Sequence, residues 1–372
     1  MQVETFVNRL NVDFYTGVPD SLLKPLCNYL MDTYGIDSKH HMIAANEGNC
    51  AALAAGYHLA TGKVPAVYMQ NSGEGNIINP LASLLNDKVY AIPMIFIVGW
   101  RGEPGVHDEP QHIYQGEVTV KLLEDMDVAA YVVTKETTEE ELDAQMQVFR
   151  SLLAKGKDVA FVVKKGALSF GKNVEYSNKN QMCREEIIEH IVNVSKEDPV
   201  LSTTGKASRE LFEIREKNGQ SHKYDFLTVG SMGHTSSIAL GVALQKPQQK
   251  IWCIDGDGAM LMHMGAMATI GAYQPANLLH IVLDNSAHET VGGIPTVSQK
   301  IDLVSMAKSV GYEEAYEVEN LNTLESVLKE SIKKDKLIFI RVLVALGSRE
   351  NLGRPKERPR DNLEKFMKNF KM

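Results

Sequence analysis

The residues best equipped for chemistry form two short groups in the second half of the chain. The apolar run KIWCIDG (250–256) leads straight into Gly256-Asp257-Gly258, and a helical pattern beginning AMLMHMGAM follows. Glycines there permit a sharp turn and leave the N–H groups at the helix start open to a phosphate. Asp257 is placed to hold a cation against that phosphate. The second group, Asp284-Asn285, closes the next apolar run, NLLHIVLDN (277–285). The stretch from 257 to 285 is one strand–helix–strand unit of about 30 residues. Asp257 and Asn285 should therefore emerge at one edge of neighbouring parallel strands, where open α/β sheets bind ligands. A carboxylate, an amide oxygen and a nearby carbonyl are hard donors that suit Mg²⁺. Competing motifs fail on single residues. A dinucleotide fingerprint needs glycine at Leu261, and Thr204-Gly205-Lys206 has Val200 and Ala207 where a P-loop has Gly and Ser/Thr. His288-Glu289 has Gly292 where a zinc motif has its second histidine.

A GDG turn followed one unit later by Asn resembles the diphosphate-binding half of thiamine diphosphate enzymes. The resemblance implies thiamine diphosphate and Mg²⁺ as cofactors, with Asp257 and Asn285 ligating the metal by side chain and Ala287 by its carbonyl. Gly256, Gly258, Ala259, Thr204 and Lys206 become cofactor-binding candidates, Ala259 through its backbone because many relatives carry serine there. Upstream, GSMG (230–233) also fits: Gly230 would accept from the aminopyrimidine amine, and Met232 would wedge beneath the bent cofactor. The same chemistry requires a glutamate that shares a proton with a pyrimidine nitrogen. MIAANEGNCAALAAGY (42–57) offers Glu47 at a strand-to-helix junction. The helix dipole alone favours an acid there, but it does not account for the small residues that follow. Burial against an aromatic cofactor would raise the Glu47 pKa.

Further segments resemble phosphonopyruvate decarboxylases in particular: TGVPDSLLKPL (16–26), QNSGEGNIINPL (70–81), WRGEPGVHDEPQH (100–112), GSMGHTSSIALG (230–241), HETVGGIPT (288–296) and GSRENLGRP (347–355). The implied reaction is non-oxidative decarboxylation of 3-phosphonopyruvate to phosphonoacetaldehyde and CO₂, in phosphonate biosynthesis of the 2-aminoethylphosphonate type. The alternative is a sulfopyruvate decarboxylase, or another 2-oxo acid decarboxylase or carboligase. Acid–base positions of the wider family correspond to Asp20, His112 and Glu289, and His288 lies close to the cofactor motif. Asp20 is equally a candidate N-cap for the helix that follows. Lys24, Ser72, Arg101, Arg349 and Arg354 are candidates to hold the small anionic 2-oxo acid, since arginine grips a phosphonate bidentately. A solvated tail is the other reading of the basic stretch 347–360. The resemblance further implies a homodimer or higher homo-oligomer, because pyrimidine and diphosphate bind different domains, usually of different subunits.

These residues need a scaffold to hold them. Short β-branched runs alternate with helical patterns, which predicts two doubly wound parallel-sheet α/β domains of the thiamine diphosphate-binding fold, with no middle domain. Strands are expected at 12–16, 40–45, 65–70, 93–99 and 158–164, then at 199–204, 226–230, 250–256, 277–285 and 337–344. Helices are expected at 21–33, 47–60, 76–86 and 138–154, then at 184–195, 206–217, 234–245, 259–272, 302–310 and 322–334. The expected divisions are 1–172 for a pyrimidine-binding domain, 173–181 for a polar linker, 182–346 for a diphosphate-binding domain and 347–372 for a basic C-terminal arm. A chain of 372 residues holds two cores of ordinary size. Its net charge of −8 argues against a nucleic-acid surface. The N-terminus lacks a signal-peptide pattern, and no uncharged run nears the ~20 residues of a membrane span. A cytoplasmic protein without membrane partners is the expectation. The four cysteines include no CxxC pair, and three sit among apolar residues, which reads as buried reduced thiols.

Overall fold

The computed structural model describes residues 1–370; the last two residues of the 347–372 arm lie outside the described residues. The chain forms two compact units. The first is Met1–Tyr176 with the segment Thr290–Ile294, and the second is Ser177–Glu289 with Pro295–Met372.

The first unit is built on a parallel sheet of six strands: β1 (Tyr15–Gly17), β2 (His41–Ile43), β3 (Ala66–Gln70), β4 (Ile95–Gly99), β5 (Ala129–Val133) and β6 (Val159–Val163). Their order is β2-β1-β3-β4-β6-β5. β3, β4 and β6 are apolar nearly throughout and almost wholly buried, as expected of strands covered on both faces. Phe6 and Phe149 close one face by packing edge-on against Phe161, at 5.3 and 5.0 Å between ring centres. Each such buried side chain contributes about 1.5–3 kcal/mol.

The second unit repeats the plan with β7 (Val200–Ser202), β8 (Asp225–Leu227), β9 (Ile251–Gly256), β10 (Leu278–Asp284), β11 (Glu314–Val318) and β12 (Ile338–Leu343). Their order is β11-β12-β10-β9-β7-β8, again all parallel. β5 and β11 were not expected from the sequence. Both are edge strands, and Glu314 and Glu317 interrupt the apolar pattern of β11. Helices Val3–Leu10, Pro110–Asp125 and Pro359–Lys368 are likewise additions to the expected set. The expected helix at 76–86 begins at Glu74, contains Pro80 and continues as a π-helical turn over Leu81–Leu85. Among the described residues no helix is long and apolar enough to cross a membrane. Cys27, Cys50 and Cys253 are buried, Cys183 is exposed, and all four thiols are free.

The basic stretch after β12 lies along its own unit. Arg349 Nε bonds the Glu185 carboxylate at 3.0 Å, and its guanidinium also contacts Glu213. Arg209 Nε donates to the Gly353 carbonyl at 2.6 Å, and Glu213 accepts from the Gly353 N–H at 2.6 Å. Helix Pro359–Lys368 packs against β8. Its Asn362 side chain accepts from Leu227 N at 3.1 Å and donates to Asp225 O at 2.9 Å.

Candidate active site

In the first unit the chemical residues collect at the carboxyl ends of β1 to β4. Glu47 opens the helix Glu47–Thr61, which Asn46 caps by accepting from Asn49 N at 3.1 Å. Its carboxylate is buried, and Oε2 accepts from Asn76 Nδ2 at 2.6 Å. Burial raises the Glu47 pKa, opposed by that amide donor. Asp20 follows β1 and is 1% exposed. It accepts from Leu22 N and Leu23 N at 3.0 and 3.1 Å and from Gln70 Nε2 at 2.6 Å. The capped backbone is the turn just ahead of helix Lys24–Thr33, so Asp20 works as a local cap and is still a buried acid raised by desolvation. Ser72 Oγ donates to Gln70 Oε1 at 2.8 Å and joins this network.

Asn71 Nδ2 bonds the Arg101 carbonyl at 2.8 Å and Thr119 Oγ1 at 2.8 Å, which ties the loop after β3 to the loop after β4. The Arg101 guanidinium grips Asp108 through Nε at 2.8 Å and NH2 at 2.5 Å, so a carboxylate already occupies it. Burial and then the Arg101 charge push His112 down to about 4, which keeps its imidazole neutral. His112 Nδ1 is buried with no hydrogen-bond partner among the described residues. Lys24 stands apart at the start of its helix, beside Gly292, with no ion pair among the described residues. Glu74, which the sequence reading passed over, is 1% exposed and raised by burial to about 9.

In the second unit the corresponding edge carries the other group. β9 and β10 pair with Gly256 opposite Leu283, so Asp257 and Asn285 leave adjacent strand ends. Asp257 is buried, and Oδ2 accepts from Thr296 Oγ1 at 2.6 Å and Ser298 Oγ at 3.3 Å. Burial, then the Asp284 charge, raises it to about 7. Asp284 is itself paired with Arg341 at 2.6 Å. Asn285 Oδ1 accepts from Ala287 N at 3.1 Å, and Ser286 between them is left-handed at φ 58°. Around this edge Thr204 Oγ1 accepts from Gly230 N at 3.1 Å. A Cβ on Gly258 would lie 3.5 Å from Met232 and 4.0 Å from His288, while one on Gly256 would meet nothing within 4 Å. Ala259 is buried just behind this turn.

Glu289 differs from the other expected acid–base residues in being held by two cations. Arg184 NH1 donates to Oε2 at 2.5 Å, Lys206 Nζ to Oε1 at 2.6 Å and Asn285 Nδ2 to Oε2 at 3.0 Å. Burial alone would raise its pKa, but these two cations outweigh it and hold the carboxyl below its ordinary value. Glu289 is therefore an ionised anchor between the helix starting at Lys206 and the Asn285 loop. Half-buried His288 beside it is pushed down to about 4 by desolvation. Deeper in the sheet, Asp255 and His280 face each other at 3.5 Å beside Cys253, and His280 Nδ1 meets the Tyr312 hydroxyl at 2.9 Å.

The second-unit edge fits a cation and a phosphorylated ligand. Asp257 is a buried carboxylate with hydroxyl donors but no cationic partner among the described residues, next to a second acid. Gly205, left-handed at φ 99°, precedes helix Lys206–Lys217 with no side-chain cap and open space around its Cβ position. Sequence reasoning missed Asn76, Gln70, Arg184, Arg341, Thr296 and Ser298. Gln70, Asn76 and Thr296 lie in segments already noted, but an amide or hydroxyl aimed at a distant acid has no local signature.

Two domain families of known proteins match this chain. Residues 3–124 match the N-terminal thiamine pyrophosphate-binding domain of thiamine pyrophosphate enzymes, and residues 203–342 match their C-terminal thiamine pyrophosphate-binding domain. The chain is 34% identical to a phosphonopyruvate decarboxylase of Streptomyces viridochromogenes, over 96% of this chain and 91% of that one. A phosphonopyruvate decarboxylase of Streptomyces hygroscopicus is also 34% identical, over 96% and 90%. A sulfopyruvate decarboxylase of Methanosarcina acetivorans is 27% identical over 81% of each chain. With a buried glutamate heading one sheet edge, an Asp/Asn pair on the other, and relatives alike over nearly the whole length, the chain belongs to the thiamine pyrophosphate-dependent decarboxylases.

Proposed function

We propose that the protein decarboxylates 3-phosphonopyruvate to phosphonoacetaldehyde and CO₂. The observation that carries the substrate assignment is 34% identity to phosphonopyruvate decarboxylases over 96% of the chain, where a sulfopyruvate decarboxylase is 27% identical over 81%. Asp257, the Asn285 amide oxygen and the Ala287 carbonyl would hold Mg²⁺, and the turns at Gly205 and Gly256–Gly258 would receive the diphosphate. When bound, thiamine diphosphate supplies the electron sink that lets the carboxylate leave. Glu47 would hold a proton at Oε1, because Oε2 is already engaged by Asn76. His112, neutral and buried, is suited to exchange a proton at Nδ1; Asp20, with Oδ2 capping the turn and Oδ1 accepting from Gln70, would exchange one only at Oδ1 as that amide lets go. Glu289 would not donate a proton, since two cations keep it ionised. Lys24, which has no acidic partner among the described residues, would meet the phosphonate more readily than Arg101 or Arg349. The working form would be a homodimer or larger: helix Glu47–Thr61 exposes Ala52, Leu53, Gly56 and Leu59, a small and apolar face suited to a second copy. Steady-state rates on phosphonopyruvate, sulfopyruvate and pyruvate, with each aldehyde identified, test the reading. A kcat/KM on sulfopyruvate or pyruvate that equals or exceeds that on phosphonopyruvate would overturn it.

A further inference from the structure

The segment after β3 contains two glycines two positions apart, and their surroundings differ sharply. Gly73 has an ordinary helical backbone, φ −78° and ψ −11°, so no conformational need calls for glycine there. A Cβ on it would sit 2.5 Å from both Cδ and Oε1 of Glu47. Gly75 is exposed, and a Cβ on it would meet nothing within 4 Å. One turn beyond Gly73, Asn76 reaches the same carboxylate from the other side, Nδ2 to Oε2 at 2.6 Å. Its backbone carbonyl lies 2.8 Å from where a Cβ on Gly48 would stand, so the helix bearing Glu47 and this segment approach as closely as glycine allows. Glu47 is thus held in a slot, with Gly73 as the floor and Asn76 as the clamp.

We propose that Asn76 is a positioning residue for Glu47: its amide fixes which carboxylate oxygen faces the thiamine ring, and Gly73 supplies the room for that orientation. The inference rests on the assignment of Glu47 to the cofactor, but not on which 2-oxo acid is consumed. An amide N–H pointed at Oε2 favours the ionised carboxylate against the burial that disfavours it. The ionisable neighbour facing Glu47 is the Cys50 thiol, pushed up to about 12 by its own burial, and it stays neutral through the working range. Glu74 turns away toward Gln115 at 3.4 Å.

The test uses the full-length protein as Asn76→Ala, Gly73→Ala and Gly75→Ala, with Asn76→Ser as the variant that keeps a donor. Two readouts need no substrate: the titration midpoint of Glu47, followed by carboxyl ¹³C NMR and assigned through Glu47→Gln, and hydrogen–deuterium exchange at C2 of added thiamine diphosphate. Asn76→Ala is expected to raise the midpoint by about one pH unit and slow exchange about tenfold or more, with cofactor affinity changed less than about threefold. Asn76→Ser should recover part of both. Gly73→Ala should slow exchange as strongly, while Gly75→Ala matches wild type. An unchanged Glu47 midpoint and exchange rate in folded Asn76→Ala would overturn the proposal, as would equal damage from Gly73→Ala and Gly75→Ala. Failure on phosphonopyruvate with these readouts intact would instead count against the substrate assignment alone.

Discussion

Replacing Arg341 by methionine should destabilise the second unit more than any surface substitution. Arg341 sits on β12 and is 11% exposed; Asp284, its partner at the end of β10, is fully buried. The guanidinium donates through Nε at 2.8 Å and lies 2.6 Å from the same oxygen through NH2. Methionine fills similar volume but leaves Asp284, among the described residues, with only Ser286 and Ser298 as donors, and with Asp257 as an acidic neighbour. Removing one partner of a buried ion pair costs about 3–5 kcal/mol because the other charge stays buried and uncompensated. For a unit of this size each kcal/mol lowers Tm by about 2–4 °C, so a fall of about 6–20 °C is expected. Calorimetry would resolve it as a shift of one unit's transition. The companion variant Arg341→Met/Asp284→Asn removes both charges and should recover at least half of the loss, a coupling that a double-mutant cycle measures directly. A single variant within about 3 °C of wild type, or a double variant no better than the single, would refute the reasoning.

Other consequences are open to direct measurement. Glu289→Gln should lower stability by about 1–3 kcal/mol by taking the carboxylate from Lys206, while Arg184 keeps Glu210 at 2.7 and 2.8 Å, seen as an earlier urea midpoint; an unchanged midpoint would remove Glu289 as an anchor of this edge. Glu74 has a folded-state pKa raised from 4.5 to about 9, so its contribution is fully present below pH 4.5 and fades as pH climbs toward 9. Glu74→Gln should therefore gain on wild type by at least about 1.4 kcal/mol between pH 5 and 9, and a constant difference in urea melts would contradict this. Thiamine diphosphate with Mg²⁺ should raise Tm by several degrees more than either alone, and prolonged chelation should abolish turnover until both return; equal shifts from the cofactor alone would remove the metal from Asp257. Gly99→Ala would set a Cβ 2.5 Å from Asp20 Oδ2 and should cut kcat at least about tenfold while folding is retained, with wild-type kcat as the failing result.

What the chain disclosed in advance follows from the range of each signal. Asp257 and Asn285 could be put at neighbouring strand ends because the spacing between them spans one repeat of the fold, and apolar runs mark buried central strands. β11 escaped notice because an edge strand needs only one covered side, and Glu314 and Glu317 break its alternation. Asn76 was invisible for a different reason: nothing within four residues marks its amide as the partner of an acid 29 positions earlier. Arg349 shows the limit of reading charge alone. The stretch was plainly basic, but only the folded chain reveals Glu185 and Glu213 as the acids it meets.

Helix Pro359–Lys368 acts on a different hazard. β8 is the last strand of its sheet, and its outer N–H and carbonyl groups could template pairing with another chain. Asn362 offers that edge an amide in place of a strand, satisfying Leu227 N and Asp225 O together, while Phe366 lies 5.6 Å from Phe226. The C-terminal helix is thus a guard against edge-to-edge aggregation. Proteolytic trimming before Pro359 would leave the candidate site edges untouched and should yield a protein that assembles through the open edge of β8.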